Sequence, residues 1–260
     1  DISNVLTIWH VEEGADTVFV KANIHLADRI LDYIIVKVQN TEIMYFGSSI
    51  GVMYQSIMLR PKITDVLALE SGIKKMLFYP KKNRLILITE SMLLCQYNIN
   101  PKNLEISELF KVKLSSSARG KNQELLSIVM IDEMIGLIAI VIINEQSVRL
   151  WQLENGQNAA IMIGDSTDYH SSGISLFDYC NKIMAVATSN NKLTIFRRVS
   201  GFDFNKVALI HIKEGIDRMS ISNNHQIACI ASSSEVYLID EQIMSCHYNN
   251  QIVAIQVNNF

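Results

Sequence analysis

Six histidines, at positions 10, 25, 170, 211, 225 and 247, and four cysteines, Cys95, Cys180, Cys229 and Cys246, carry the widest chemical repertoire in this chain. They are the residue types that ligate metals, attack carbonyls or move protons near neutral pH. Their spacing supports none of these uses. A structural zinc site asks for pairs such as Cys-x-x-Cys or His-x-x-x-His; no two cysteines stand that way, and Cys246-His247 is merely adjacent, which reads as packing or a turn. Cys95, Cys180 and Cys229 have apolar neighbours (Leu94, Tyr179, and Ala228 with Ile230) and read as buried free thiols of a reducing compartment. Asp165, Asp168 and His170 cluster within Gly164 to Gly173, but Ser166, Thr167, Ser171 and Ser172 around them make a solvated loop a better reading than a catalytic one. Asp132-Glu133 and Glu12-Glu13 read as turn carboxylates, and Asn155-Gly156 as a turn. The chain has no glycine-rich phosphate loop, no His-Glu-x-x-His and no Gly-x-Ser-x-Gly. The expectation is a protein without catalytic residues, cofactor or metal.

The elements that would position any site are therefore the informative part. Hydrophobic residues make up 49% and charged residues 19% of the 260, enough for a packed core and too apolar for a disordered chain. Net charge is −3, and the basic pairs Lys81-Lys82 and Arg197-Arg198 are short and far apart, so no nucleic-acid partner is expected. The longest apolar run, Ile135 to Ile143, falls far short of the roughly 20 residues of a membrane-spanning helix, and no signal-peptide pattern is present. The chain opens on Asp1 instead of Met, so its native start and any targeting signal are expected to lie outside this sequence.

One pattern recurs: a hydrophobic strand that ends in an aromatic, followed by a polar stretch. The aromatics are Trp9, Tyr54, Tyr97, Trp151, Phe196 and Tyr237, at intervals of 45, 43, 54, 45 and 41 residues. WD-type propeller blades repeat at about 40–45 residues. The long interval holds the polar insertion Ser115 to Asn122. The order within a period also recurs. From Gly173, a first strand (Ile174 to Phe177) leads to a turn at Asp178 to Lys182, an unbroken apolar strand (Ile183 to Ala187), a tight turn at Ser189-Asn190-Asn191 and a third strand ending on Phe196. A strand packed on both faces reads as apolar throughout, and an aromatic burying about 150–250 Å² fills the gap between stacked blades. An α/β barrel would need amphipathic helices; only His25 to Val38 could be argued as one, and Ile34 to Val38 reads better as a strand. The three prolines suit hydrogen-bonded ladders. The fold expected is all-β: a partial WD40-like β-propeller of about five to six degenerate four-stranded blades.

The blades lack the Trp-Asp dipeptide, since Trp9 precedes His10 and Trp151 precedes Gln152, and the Gly-His element is missing too. The stretches Met76-Leu77-Phe78-Tyr79, Ile88-Thr89-Glu90, Lys111 to Ser115, Arg149 to Gly156 and Met244 to Ala254 resemble, in collinear order, the intraflagellar transport protein 140 family, a subunit of intraflagellar transport complex A. The resemblance runs from about Met44 to Val257, and more weakly over Asp1 to Gly14. It implies two N-terminal WD-type propellers ahead of a helical repeat region, with residues 1–200 as later blades of the first propeller and 201–260 as the opening of a second. It also implies a longer loop than this chain has at Asn40-Thr41. The function implied is a non-catalytic scaffold for retrograde ciliary transport and ciliary entry of membrane cargo, at the cilium and basal body on the cytoplasmic side. Its partners would be other complex A subunits, neighbouring copies in a train and cargo adaptors, with Ser115 to Glu124, Gly164 to Ser172 and Ser200 to Lys206 as contact loops. A vesicle-coat propeller shares the same plan. An enzyme on this scaffold would need polar or metal-binding side chains converging on the central channel.

Overall fold

The computed structural model describes residues 5–11, 18–25, 28–57, 60–114, 124–163, 172–224, 226–231, 235–240, 246–249 and 252–255. Apart from one 3-10 turn at Pro80–Lys82, every regular element among them is a strand. β1 (Val5–Val11) and β2 (Val18–His25) form an antiparallel pair. Four complete blades follow, each a four-stranded sheet hydrogen-bonded in sequence order. The first holds β3 (Ile30–Val38), β4 (Thr41–Ser48), β5 (Val52–Ile57) and β6 (Arg60–Ala68). The second holds β7 (Ile73–Tyr79), β8 (Arg84–Thr89), β9 (Leu93–Ile99) and β10 (Ile106–Lys113). The third holds β11 (Leu125–Asp132), β12 (Leu137–Ile142), β13 (Ser147–Gln152) and β14 (Asn158–Met162), and the fourth β15 (Ile174–Cys180), β16 (Ile183–Thr188), β17 (Lys192–Ser200) and β18 (Asp203–His211). β19 (Ile216–Ile221), β20 (Ile227–Ala231) and β21 (Val236–Ile239) make a three-stranded sheet, and β22 (Cys246–Asn249) pairs with β23 (Ile252–Ile255). The chain divides into two compact units, residues 1–174 and 175–260.

The second strands have the burial that their unbroken apolar sequences predict. Every residue of β12 and of β16 is buried, as is all of β8 after Arg84. Side-chain alternation then divides each strand between two layers. Leu85 and Leu87 join the cluster shared with the preceding blade, around Tyr45, Met53 and Ile73, whereas Ile86 and Ile88 join the one shared with the next, around Ile138, Ile140 and Leu153. These two layers, with a smaller one of Met44, Phe46 and Tyr54, are core of the first unit. In the second unit, Ala185, Leu193 and Ile195 pack with Ile221, Ile227 and Cys229.

Four expectations bear on particular segments of the fold. The segment with a helical alternative is the strand β3, whose Val36 and Val38 are buried beside exposed Glu-paired Lys37, the period-2 signature. The turn expected over Asp178 to Lys182 shrinks to Asn181-Lys182, because both residues take left-handed φ (45° and 71°) and close a two-residue hairpin that lets β15 run on through Cys180. The short join at Asn40-Thr41 closes as a turn over Gln39-Asn40, with Gln39 at φ 53° and Val38 paired to Thr41. Across residue 200, β17 and β18 pair from Lys192↔His211 to Ser200↔Asp203 around Gly201.

A hydroxyl repeats at the end of the second strand. Ser48 (0% exposed), Thr89 (1%) and Thr188 (9%) each open the turn into the third strand. Ser48 Oγ accepts from Val52 N at 3.0 Å, Thr89 Oγ1 accepts from Leu93 N at 3.1 Å, and Thr188 Oγ1 donates to Lys192 O at 3.1 Å. Each hydroxyl thus ties its own turn to a backbone group of the residue four positions on.

Candidate functional site

The aromatics singled out by spacing lie on third strands: Tyr54 on β5, Tyr97 on β9, Trp151 on β13, Phe196 on β17 and Tyr237 on β21. Trp9 lies on β1, and its side chain is outside the described residues. Tyr97 is 1% exposed, in the layer with Tyr45 and Met53 of the blade before it. Trp151 is half-buried against Tyr79, Ile86 and Leu114 of the blade before it, and Tyr237 packs toward Ile183, Leu193 and Ile195 in the same sense. Tyr54 lies with Met44 and Phe46 on the face turned away from the following blade, and Phe196 is buried on the face of its sheet opposite Leu193 and Ile195. The Trp151 Nε1 and the Tyr97 hydroxyl are buried without a hydrogen bond of ordinary geometry; the polar neighbour of Tyr97 is the Cys95 thiol.

Polar ties join blades, and spacing did not find them. Asp32 on β3 accepts from Met76 N of β7 at 2.7 Å through Oδ2, with Lys75 Nζ 3.6 Å from its Oδ1. Asp178 on β15 accepts from Ile221 N of β19, also at 2.7 Å. Both bridge the first strands of successive sheets. An aspartate inside a strand reads as a breaker, yet both stand in an apolar-Asp-Tyr triplet, Leu31-Asp32-Tyr33 and Phe177-Asp178-Tyr179, and that shared context was the available signal. Further ties between blades run from Arg149 to Leu114 O (2.5 Å), from Lys74 to Glu124 (2.8 Å) and from Lys81 to Met134 O (2.9 Å), and Glu145 of its own blade holds Arg149 at 2.6 Å.

The ionisable groups are tuned by burial. Burial lifts the Cys95 thiol from 9.0 to about 11 and raises Tyr45 and Tyr97 further above the phenolic range. Tyr54 rises to about 12, first from burial and then because its hydroxyl donates to the Asp28 carboxylate. Such groups are held neutral, the opposite of an activated nucleophile. Among the described residues no group of three or more His, Cys, Asp or Glu is placed to hold a metal ion, and no helix is long and apolar enough to cross a membrane. Asp132 caps its own turn by accepting from Met134 N at 2.7 Å, and Asn155 does so for Gln157 N at 2.9 Å. Asp165, Asp168, His170, His225 and Glu12-Glu13 lie outside the described residues, as do the side chains of His10, Cys246 and His247. Of the expected contact loops, only Glu124, Ser172 and Ser200 to Lys206 are described, the last as the β17–β18 turn.

Stacked antiparallel blades held by apolar layers find their counterpart in a known family: the family described as IFT140 first beta-propeller matches residues 21–242. The chain belongs to that family. IFT140 first propellers are a scaffold type of domain and part of intraflagellar transport. Two solved structures resemble the chain in fold. One is a functionally unknown protein from Desulfotomaculum acetoxidans DSM 771, at TM-score 0.65 and 11% identity over 92% of this chain and 76% of that one. The other is Saccharomyces cerevisiae Sqt1, at TM-score 0.62 and 12% identity over 92% of this chain and 66% of that one. At such identities the likeness concerns the fold alone.

Proposed function

We propose that the chain is a propeller segment of a non-catalytic scaffold subunit of intraflagellar transport complex A, acting in retrograde ciliary transport and ciliary entry of membrane cargo. The observation that carries this reading is the match to the IFT140 first propeller across residues 21–242. The chemistry agrees with it: the buried thiols and phenols are held protonated, and the inter-blade contacts serve cohesion. The blade aromatics Tyr54, Tyr97, Trp151, Phe196 and Tyr237, with Trp9, act in this reading as spacers between blades. The partners are other complex A subunits, neighbouring copies in a train and cargo adaptors, at the cilium and basal body. Residues up to about 242 belong to the first propeller in this reading, and any opening of a second lies beyond them, later than residue 200.

Affinity purification of the full-length parent from ciliated cells tests the proposal. Complex A subunits should be recovered in stoichiometric amounts. Recovery of vesicle-coat subunits in their place would overturn it.

A further inference from the structure

A cleft of about 530 Å³ opens between β6 and β10, the outer strands of two adjacent blades, under the loop that joins β9 to β10. Its polar wall has a definite sense. Asn100 Oδ1 accepts from Lys102 N at 3.0 Å, and Asn103 Oδ1 accepts from Glu105 N at 3.2 Å. Those bonds fix which end of each carboxamide is oxygen, so both NH₂ groups are left as donors with no partner among the described residues. Asn98 and Ser107 add donor capacity. Gln55, from the neighbouring blade, is 8% exposed, and its Oε1 is buried with no hydrogen bond. An orphaned buried acceptor of this kind destabilises the fold by about 1–3 kcal/mol unless a donor such as a peptide N–H uses it.

The rest of the wall narrows the ligand. Val66, Leu104 and Ile106 supply apolar surface. Leu104 stands at φ 62°, a conformation that disfavours a leucine, and it packs against the inter-blade core, which makes the loop a rigid wall. Among the described residues no lysine or arginine lines the cleft, and Glu105 is its one charged residue. Amide donors without a cation, beside a carboxylate, suit neutral acceptors and reject anions. Peptide carbonyls fit this set, and the flanking edge strands favour an extended backbone.

We propose that this cleft docks an extended, uncharged segment of a partner protein, its main-chain carbonyl oxygens held by the NH₂ groups of Asn100 and Asn103 and a main-chain N–H donating to Gln55 Oε1. The inference rests on the scaffold reading, whose partners it describes chemically.

Asn100→Asp with Asn103→Asp gives a discriminating variant. Each carboxylate still accepts the backbone N–H of its turn, but both donors become anionic acceptors. The photo-crosslinker p-benzoylphenylalanine at Ser107 of the full-length protein, within its purified complex, reports occupancy. The expected result is a cross-link to one partner segment free of Asp, Glu, Lys and Arg at the contact, with a yield about tenfold lower in the double variant and an unchanged thermal midpoint. If the double variant melts earlier, Asn103→Asp alone, at an exposed position, carries the same comparison. An unchanged yield, cross-links confined to the protein's own chain, or a charged segment at the contact would each overturn the proposal. Complex A subunits still co-purifying beside an unchanged yield would remove the cleft and leave the scaffold reading standing.

Discussion

Single residues hold this stack together in two chemically different ways. Trp151 works by area: it is half-buried against Tyr79 and Leu114, and Trp151→Ala is expected to lower stability by about 3–5 kcal/mol, read from urea denaturation. A loss below about 1 kcal/mol would place Trp151 on the surface. Asp32 and Asp178 work by satisfying a backbone N–H of the next sheet at 2.7 Å. Replacing either with Ala leaves that donor unpaired, and a loss of about 1–3 kcal/mol is expected in the same assay. Spacing alone marks the aromatics in the sequence, whereas no spacing marks the aspartates, since their partners lie 44 and 43 residues away and no local rule connects them.

At the level of the strand and its turn, the hydroxyl corner is the recurring device. Thr89→Val keeps the shape and removes the bond to Leu93 N, so a loss of about 1 kcal/mol is expected from equilibrium unfolding. Gly51 marks the corresponding turn in the blade before. Its φ is +89°, and a Cβ there would stand 2.3 Å from Leu69 O, so Gly51→Ala should lower stability by more than about 2 kcal/mol. Gly201, at φ +46° with nothing within 4 Å of a Cβ, should tolerate the same change at about 1 kcal/mol. Equal losses at the two glycines would mean that crowding at Gly51 is relieved by movement of the loop. The unbroken apolar runs of β12 and β16 announced their burial in the sequence. The length of β15 did not show, because a hairpin closed by Asn181 and Lys182 at positive φ contains no glycine to mark it. Fourth strands such as β18 alternate exposed and half-buried residues even across the apolar stretch Val207 to Ile210, so the pairing reveals them better than the sequence does.

For the molecule as a whole, the buried phenols and thiols set a limit on alkaline stability. Cys95 rises from 9.0 to about 11 and Tyr54 from 10.0 to about 12. Folding therefore favours the protonated forms. That contribution is complete below about pH 9 and is lost as pH climbs through 11 and 12. The urea midpoint should hold between pH 7 and 9 and fall steeply above pH 10; a flat profile to pH 11.5 would mean that these groups reach solvent in the folded state. The family was legible from collinear stretches, while the β6–β10 cleft was not. Its amides come from two blades, and Asn100 and Asn103 look in sequence like ordinary turn formers.

Tyr97, Trp151 and Tyr237 each press backward, onto the blade made before their own. Synthesis runs in the same direction, so every one of these rings emerges from the ribosome to meet a seat already assembled. A nascent chain halted after the second or third blade would already have buried the ring it had just added, Tyr97 or Trp151, against the sheet before it.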